Sequence, residues 1–265
     1  MAVPANEEYP DYYVRSAEKT LAILLAFTAD EPRQTVTQIA EKTGVSRAGV
    51  RRFVLTLTDL GYLRSDHKSF ELTPRTMDIG ASYLANLSLP QVAEEHLKRL
   101  AVELNETTSL CILDGPDVVY VARVAAPRLL GVSVNVGTRF PAWATSMGRV
   151  LLASLPEAVR ESYFDALTLQ AFTEHSVKSI DELRAEVAHA AANGWSLVAQ
   201  ELDDGLRGVA VPVRRGTQVI AAVNVSLQSH RVPEGVIEAS VVPLLQEAAI
   251  AIGEDFGGRR GGLRS

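Results

Sequence analysis

The sequence is poor in cysteine: Cys111 is the only one in 265 residues. One thiol closes no internal disulfide and leaves no cysteine-based zinc site. Long apolar runs are absent too. None approaches the ~18–20 residues that a bilayer-spanning helix needs, so no membrane segment is expected. The opening residues MAVPANEEYPDYY are acidic and have no apolar stretch; no secretory signal is readable, and a cytoplasmic protein is expected. Phosphate-cradling loops of the G-x-x-x-x-G-K-[ST] and G-x-G-x-x-G types are missing, and so is the G-x-S-x-G elbow of serine hydrolases. The histidines His67, His96, His175, His189 and His230 are scattered without metal-ligand spacing. Neither a metal nor a cofactor is therefore expected. Cys111 lies in the apolar run SLCIL and reads as a buried, inert thiol.

What is present is average globular composition, 47% apolar and 22% charged, with an uneven charge distribution. The net charge is −6, yet residues 14–76 carry ten Lys/Arg against seven Asp/Glu, and residues 77–256 carry thirteen against twenty-two. From Lys42 to Thr58 there are Lys42, Arg47, Arg51 and Arg52 and no acid. A small basic module on a larger acidic one suits a protein of which one part meets phosphates. The expected organisation is a DNA-binding domain at 14–76, a linker helix at 77–90 and a second domain at 91–256.

In the first region, Val14–Thr28 has helical spacing through Ala17, Leu21, Leu24 and Leu25, with Phe27 near its end. A polar break, ADEPRQ, follows. A short helix is expected over Thr37–Thr43, with Thr37 as N-cap and Gly44 as its stop. Ser46 is placed to cap a third helix running to about Leu60. On it Val50, Phe53, Val54, Leu57 and Leu60 form one stripe, and Ala48, Arg51 and Arg52 lie opposite, with Arg47 at the edge. Leu55 also points away from the stripe. Two helices joined at Gly44, the second exposing small and basic residues at its start, read as a helix-turn-helix. After Gly61 the period becomes two: Tyr62–Arg64 and Phe70–Thr73 flank the turn Ser65–Ser69, a wing with Lys68 at its tip. The residues expected at DNA are Thr37, Ser46, Arg47, Ala48, Arg51, Arg52 and Lys68, in the major groove or on its flanking phosphates.

Beyond the linker, a helix is expected over Pro90–Asn105, then strands Thr108–Asp114, Val118–Val124 and Leu130–Val136. A loop, GTRFPAWATS, leads to helices Met147–Ala153, Pro156–Ala166 and Ile180–Asn193, the last with a capping box at Ser179 and Glu182. Strands Ser196–Glu201, Gly208–Arg214 and Val219–Leu227 and a closing helix, Pro233–Asp255, complete an α+β domain with an antiparallel sheet. Two stretches stand out. Phe140–Arg149 opens a helix with small residues, where unpaired N–H groups and the helix dipole suit a carboxylate, or where Thr145 or Ser146 simply caps. Gln200–Gly208 sets three acids before a Gly-Leu-Arg turn.

The chain resembles the IclR family of bacterial transcription regulators over nearly its full length. The resemblance rests on YYVRSAEKTLAILLAF, TQIAEKTGVSRAGVRRFVLTLTDLGYL, LTPRTMDIGASYL, RFPAWATSMGRVLLA, GLRGVAVPV and AAVNVS. The first and third motifs look most like the branch controlling aromatic-acid catabolism. The resemblance implies a winged helix-turn-helix and a GAF-like effector-binding domain, working as a homodimer or dimer of dimers on operator DNA, with no catalysis. By matching segments it places a small carboxylate or aromatic-acid effector among Leu129, Val132, Phe140, Ser146, Met147, Leu206, Gly208 and Asn224. Some family members hold a cysteine at the Gly208 position. Two rivals remain at this point. One is an acyl-transfer enzyme using Ser146 or Cys111, for which no base is readable. The other is a DNA-binding protein indifferent to ligand.

Overall fold

The computed structural model describes residues 10–80, 88–126, 134–228 and 234–258. The chain divides into two units, Met1–Asn86 and Leu87–Ser265. The first is built on helices α1 (Arg15–Leu25), α2 (Val36–Thr43) and α3 (Arg47–Asp59). Thr35, not Thr37, caps α2. Its hydroxyl accepts from the Gln38 N–H while the Gln38 amide oxygen accepts from the Thr35 N–H. This reciprocal pair starts the helix earlier and leaves Thr37 within its first turn. Gly44 ends α2 at φ +71°, a left-handed conformation that a Cβ disfavours. Ser46 caps α3, accepting from the Gly49 N–H at 3.2 Å.

Ile23, Phe27, Ile39, Val50, Val54 and Leu57 fill the core between these helices. Two expectations change here. Leu21 and Leu25 of α1 are exposed, and Ile23 and Ala26 face inward instead, beside the expected Phe27. Both stripes of α1 are apolar, so periodicity alone does not choose between them. Leu60 lies past the last turn of α3 and is half exposed rather than part of its buried stripe.

A three-stranded antiparallel sheet completes the unit, in the order β1-β3-β2, from β1 (Arg33–Thr35), β2 (Leu63–Asp66) and β3 (Ser69–Leu72). The wing turn is tighter than expected, only His67 and Lys68, with His67 at φ +52°. β1 falls in the stretch that reads as a polar break. It is a strand because its polar side chains find polar partners. Buried Gln34 donates to the carbonyls of Ala26 and Glu31, and Arg33 stands opposite Glu71, which Arg64 flanks from the other side. Bonds from Arg64 and then Arg33 hold the Glu71 carboxyl below its ordinary pKa.

In the second unit, α4 (Ser88–Leu104) begins two residues before the expected Pro90, which its first turn tolerates. Of the expected linker helix, residues 77–80 are helical and 81–87 lie outside the described residues. Six antiparallel strands follow in the order β6-β5-β4-β9-β8-β7. They are β4 (Thr107–Asp114), β5 (Asp117–Val124), β6 (Arg139–Pro141), β7 (Ser196–Ala199), β8 (Leu206–Arg215) and β9 (Gln218–Gln228). The helices are α5 (Ser146–Ala153), α6 (Glu157–Asp165), α7 (Ile180–Asn193) and α8 (Val242–Gly258).

The strand expected at Leu130–Val136 is not found at Val134–Val136, and its earlier residues lie outside those described. A strand forms instead within the expected loop, as β6. Arg139 anchors it to the β4–β5 hairpin through Asp114 at 2.7 Å and Asp117 at 3.2 Å, and Phe140 packs edge-on against Tyr120. Glu182 completes only half of its box: Ser179 accepts from the Glu182 N–H, but the Glu182 carboxylate reaches the N–H of Lys178. The closing helix is interrupted by a π-helical turn, Ile237–Val241, ahead of α8.

Alternation along β8 and β9 sorts the sheet into two unlike faces. Val209, Val211, Val213, Val223 and Val225 pack against α4 and α8. Ala210 and Ala222 face the other way, into a second core with α5, α6 and α7. On the first face α8 lies so close that a Cβ on Gly253 would stand 2.0 Å from the Arg214 carbonyl oxygen. Gly253→Ala should therefore destabilise this unit by about 1–3 kcal/mol, the usual cost of overpacking, read as a lowered thermal midpoint.

Candidate functional site

In the first unit, the expected DNA-facing residues of α3 lie together. Arg47, Ala48, Arg51 and Arg52 are all exposed, with Leu55 beside them on the same side. Ser46 is exposed at the start of α3, Thr37 is half-buried on α2, and Lys68 is exposed at the wing tip. The cations of this unit differ in what holds them. Lys42 is paired with Glu31, Arg33 and Arg64 with Glu71, and Arg47 lies 4.0 Å from Glu41. Among the described residues, no ion pair engages Arg51, Arg52 or Lys68. The unit thus presents unpaired guanidinium groups from the start of a helix about as wide as a DNA major groove.

In the second unit, a narrow cleft opens where α5 meets the small-residue face of the sheet. The space within it that a water-sized body can occupy is about 40 Å³. Thr145 caps α5, its Oγ1 accepting from the Gly148 N–H at 3.0 Å. The Arg149 N–H is bonded to the Thr145 carbonyl. The N–H groups of Ser146 and Met147 have no such partner among the described residues, and both residues line the cleft. A helix start of this kind attracts anions. Opposite stand Leu202, Asp203 and Leu206, and the floor is Gly208, Asn224 and Ser226.

One buried ion pair ties these parts together. Arg149, 1% exposed, donates from Nη2 to Glu201 at 2.7 Å and from Nε to the Trp143 carbonyl at 3.1 Å. Glu186 lies 3.6 Å from its Nη1. The Glu201 carboxylate also accepts from the Val177 N–H, and its carbonyl accepts from the Ser176 hydroxyl. Glu201 borders the cleft, so Arg149 offsets a charge that would oppose an anion there.

Of the effector-site residues, Ser146, Met147, Leu206, Gly208 and Asn224 are brought together on the cleft. Phe140 stands one layer back, against the cleft residue Tyr120. Leu129 and Val132 lie outside the described residues. Sequence reasoning did not single out Tyr120, Val198 or Ser226, whereas Leu202 and Asp203 fall in the stretch Gln200–Gly208 that stands out by its acids. Ser226 was within reach, being two residues past Asn224 on the same strand face. Burial raises the pKa of the Tyr120 phenol, so it is neutral at ordinary pH. No histidine borders the cleft among the described residues. Cys111 is fully buried, and burial pushes its thiol well up, away from the thiolate that a nucleophile needs.

Comparison with known proteins agrees with this architecture. The domain described as "Bacterial transcriptional regulator IclR C-terminal" matches residues 81–254, and "IclR helix-turn-helix domain" matches residues 16–67. The chain belongs to the IclR family of bacterial transcriptional regulators. It is 37% identical to the Pca regulon regulatory protein of Pseudomonas putida over 242 residues, 91% of this chain and 83% of that protein. A crystal structure assigned as a transcriptional regulator from Rhodococcus sp. RHA1 matches with a TM-score of 0.82 at 42% identity, covering 92% of this chain and 98% of the other. An IclR homologue from Microbacterium hydrocarbonoxydans, crystallised with 4-hydroxybenzoate, matches with a TM-score of 0.78 at 26% identity, covering 90% and 98%. This IclR-family chain is thus a transcriptional regulator with a helix-turn-helix DNA-binding domain and a C-terminal ligand-binding domain, not an enzyme.

Within that ligand-binding domain the Arg149–Glu201 pair carries the cleft wall. Replacing Arg149 by Met leaves Glu201 buried without its partner and should cost about 3–5 kcal/mol. Arg149→Met with Glu201→Leu should cost clearly less than the sum of the two single changes. Urea unfolding of the four proteins measures both quantities.

Proposed function

We propose that this regulator responds to an aromatic carboxylate bound in the α5 cleft. The observation that carries the reading is a helix start with two unengaged N–H groups, those of Ser146 and Met147, opening onto a cleft lined by Tyr120, Leu202 and Leu206 as well as by polar residues. The carboxylate is taken by those donors and by the positive end of α5. The ring lies between Met147, Tyr120 and Leu206, with Leu129 and Val132 added to the walls by family resemblance. The likeness to a homologue crystallised with 4-hydroxybenzoate supports this ligand class.

On the DNA side, α3 enters the major groove. Arg51 and Arg52 meet base edges or phosphates, with Arg47 and Ser46 at the start of the helix. Ala48 and Leu55 supply the apolar contact that suits a thymine methyl. Thr37 and Lys68 reach flanking phosphates. The working form is a homodimer, or a dimer of dimers, which sets two such helices about one DNA turn apart on a palindromic operator. Residues 14–76 form the DNA-binding part, 77–90 the linker and 91–256 the sensing part. The ligand alters operator affinity through unequal binding to two arrangements of the dimer, with an expected coupling of ~1–3 kcal/mol.

Two measurements check this. Titration of labelled DNA from upstream of its own gene should show Arg51→Ala/Arg52→Ala binding at least about tenfold more weakly. The slope of log affinity on log salt should also fall by about one for each phosphate that is no longer neutralised. Arg33→Ala, which removes a cation already held by Glu71, should change little; equal weakening in both variants would take α3 out of the interface. In the same assay 4-hydroxybenzoate should shift operator affinity by roughly 5–150-fold, and succinate should not. An absence of response to every aromatic carboxylate would sink the sensing assignment.

A further inference from the structure

β7 is the last strand of its sheet, and among the described residues no strand covers its outer side. The Gln200 N–H is bonded to the Leu206 carbonyl, so by antiparallel alternation Val198 and Ser196 turn their backbone groups toward β8. Leu197 and Ala199 turn theirs outward, where they meet no hydrogen-bond partner among the described residues. Both residues line a groove of about 510 Å³ between this edge and α7. Glu182 and Glu186 stand on its α7 wall and Glu201 just past the strand, and no lysine or arginine is among its lining residues. Arg149, buried behind them, is bonded to Glu201 and lies 3.6 Å from Glu186. Three carboxylates thus share one guanidinium. The side chains of Trp195 and Leu197 turn to the other face of the sheet, where α8 lies.

A sheet edge with outward N–H and C=O groups is a template for one more strand. The carboxylates beside it decide the kind of strand, which has to be basic. They also oppose the pairing of two β7 edges, because that brings like charges together. Residues 257–265 of this chain, GGRRGGLRS, carry three arginines and no acidic side chain; 259–265 lie outside the described residues. In an extended strand Arg260 and Arg264 fall on one face and Leu263 on the other. That pattern matches Glu182 and Glu186 on the α7 side of the groove and Trp195 and Leu197 on the other. The groove of the same chain is out of reach for Arg260. α8 ends beside Arg215, close enough that a Cβ on Gly257 would stand 4.0 Å from the Arg215 Cγ. Leu197 is level with Val209, which lies ~20 Å back along β8 from Arg215, whereas the step from Gly257 to Arg260 spans ~10 Å at most. We infer that the groove between β7 and α7 is an interaction surface between copies of this chain, taking residues 259–265 of a second copy as an added strand. This is independent of the ligand reading and adds a contact to the assembly proposed above.

The experiment is sedimentation equilibrium of the full chain over a range of concentrations, on wild type and three variants. Arg259→Ser/Arg260→Ser/Arg264→Ser should weaken subunit association by about tenfold or more. Glu182→Gln/Glu186→Gln should weaken it to a similar degree, and in both variants the remaining association should depend less on salt than in wild type. Ala199→Pro removes one outward N–H, a change that a sheet edge tolerates, and should weaken association with every carboxylate in place. The synthetic peptide GGRRGGLRS in excess should carry wild type to the species that the arginine variant forms. Thermal melts identify a variant that fails to fold; the arginine variant, which alters none of the described residues, then decides together with the peptide. Unchanged association of the arginine variant, or a peptide without effect, overturns the inference and leaves the dimer reading in place. A loss in the arginine variant that neither Ala199→Pro nor Glu182→Gln/Glu186→Gln reproduces puts these residues on another surface and overturns it as well. A chain that is monomeric at every concentration overturns both readings.

Discussion

How closely α5 lies against its surroundings decides most of what the second unit can do. A Cβ on Gly148 would stand 1.9 Å from the Ala142 carbonyl oxygen, and one on Gly208 would crowd Ser146. Ala210 and Ala222 keep the sheet beneath the helix low. Small residues at these points let α5 sink until Ser146, Met147 and Arg149 are all buried. Burying a guanidinium then imposes a second requirement, since a lone buried charge is far more costly than a paired one. Glu201 meets it from across the domain. By meeting it, Glu201 fixes the loop that carries Leu202, Asp203 and Leu206. A constraint on side-chain size at a few positions thus propagates through one ion pair into the shape of a ligand cleft.

A similar economy governs charge in the first unit. Its excess of cations over acids is small, and several of those cations are held internally. Glu71 holds Arg33 and Arg64 on the wing sheet, and Glu31 holds Lys42. Exposed pairs of this sort add little stability, but they remove cations from competition for phosphate. Among the described residues, Arg51 and Arg52 on α3 and Lys68 at the wing tip remain without an ion pair, as do Lys19 on α1 and Arg75, which lies over the Tyr62 ring. Local arrangement, rather than net charge, makes this face suited to DNA in a chain that is acidic overall.

The parts legible in the sequence were those set by near neighbours in the chain. Ser46 and Gly44 mark α3 and the turn before it because capping is a matter of a few residues. The stripe through Val50, Val54 and Leu57 follows from one helix's own period. The strands of the β8–β9 hairpin show the same locality. Misreadings occurred where distant partners decide. β1 looks like a polar break until Glu71 and the carbonyl of Ala26 are brought to it. α1 offers two apolar stripes, and only the finished core selects Ile23 over Leu21. β6 depends on Asp114 and Asp117 receiving Arg139. The stretches Phe140–Arg149 and Gln200–Gly208 stand out by their own residues, but which of those residues meet a ligand came only from resemblance to a family, and the pairing of Arg149 with Glu201, 52 positions apart, left no local signal.

The Arg149–Glu201 pair also bears on how a ligand is chosen. A loop that had to close over each ligand would spend binding energy on its own ordering, and many ligands able to close it would look alike. Here the loop is already held: Glu201 is bonded to Arg149 and Val177, and Thr173 donates to the Gln200 carbonyl. With the wall in place beforehand, discrimination has to come from contacts that one ligand makes and its near relative does not. A wall held in this way leaves little of a ligand's binding energy to be spent on ordering the loop.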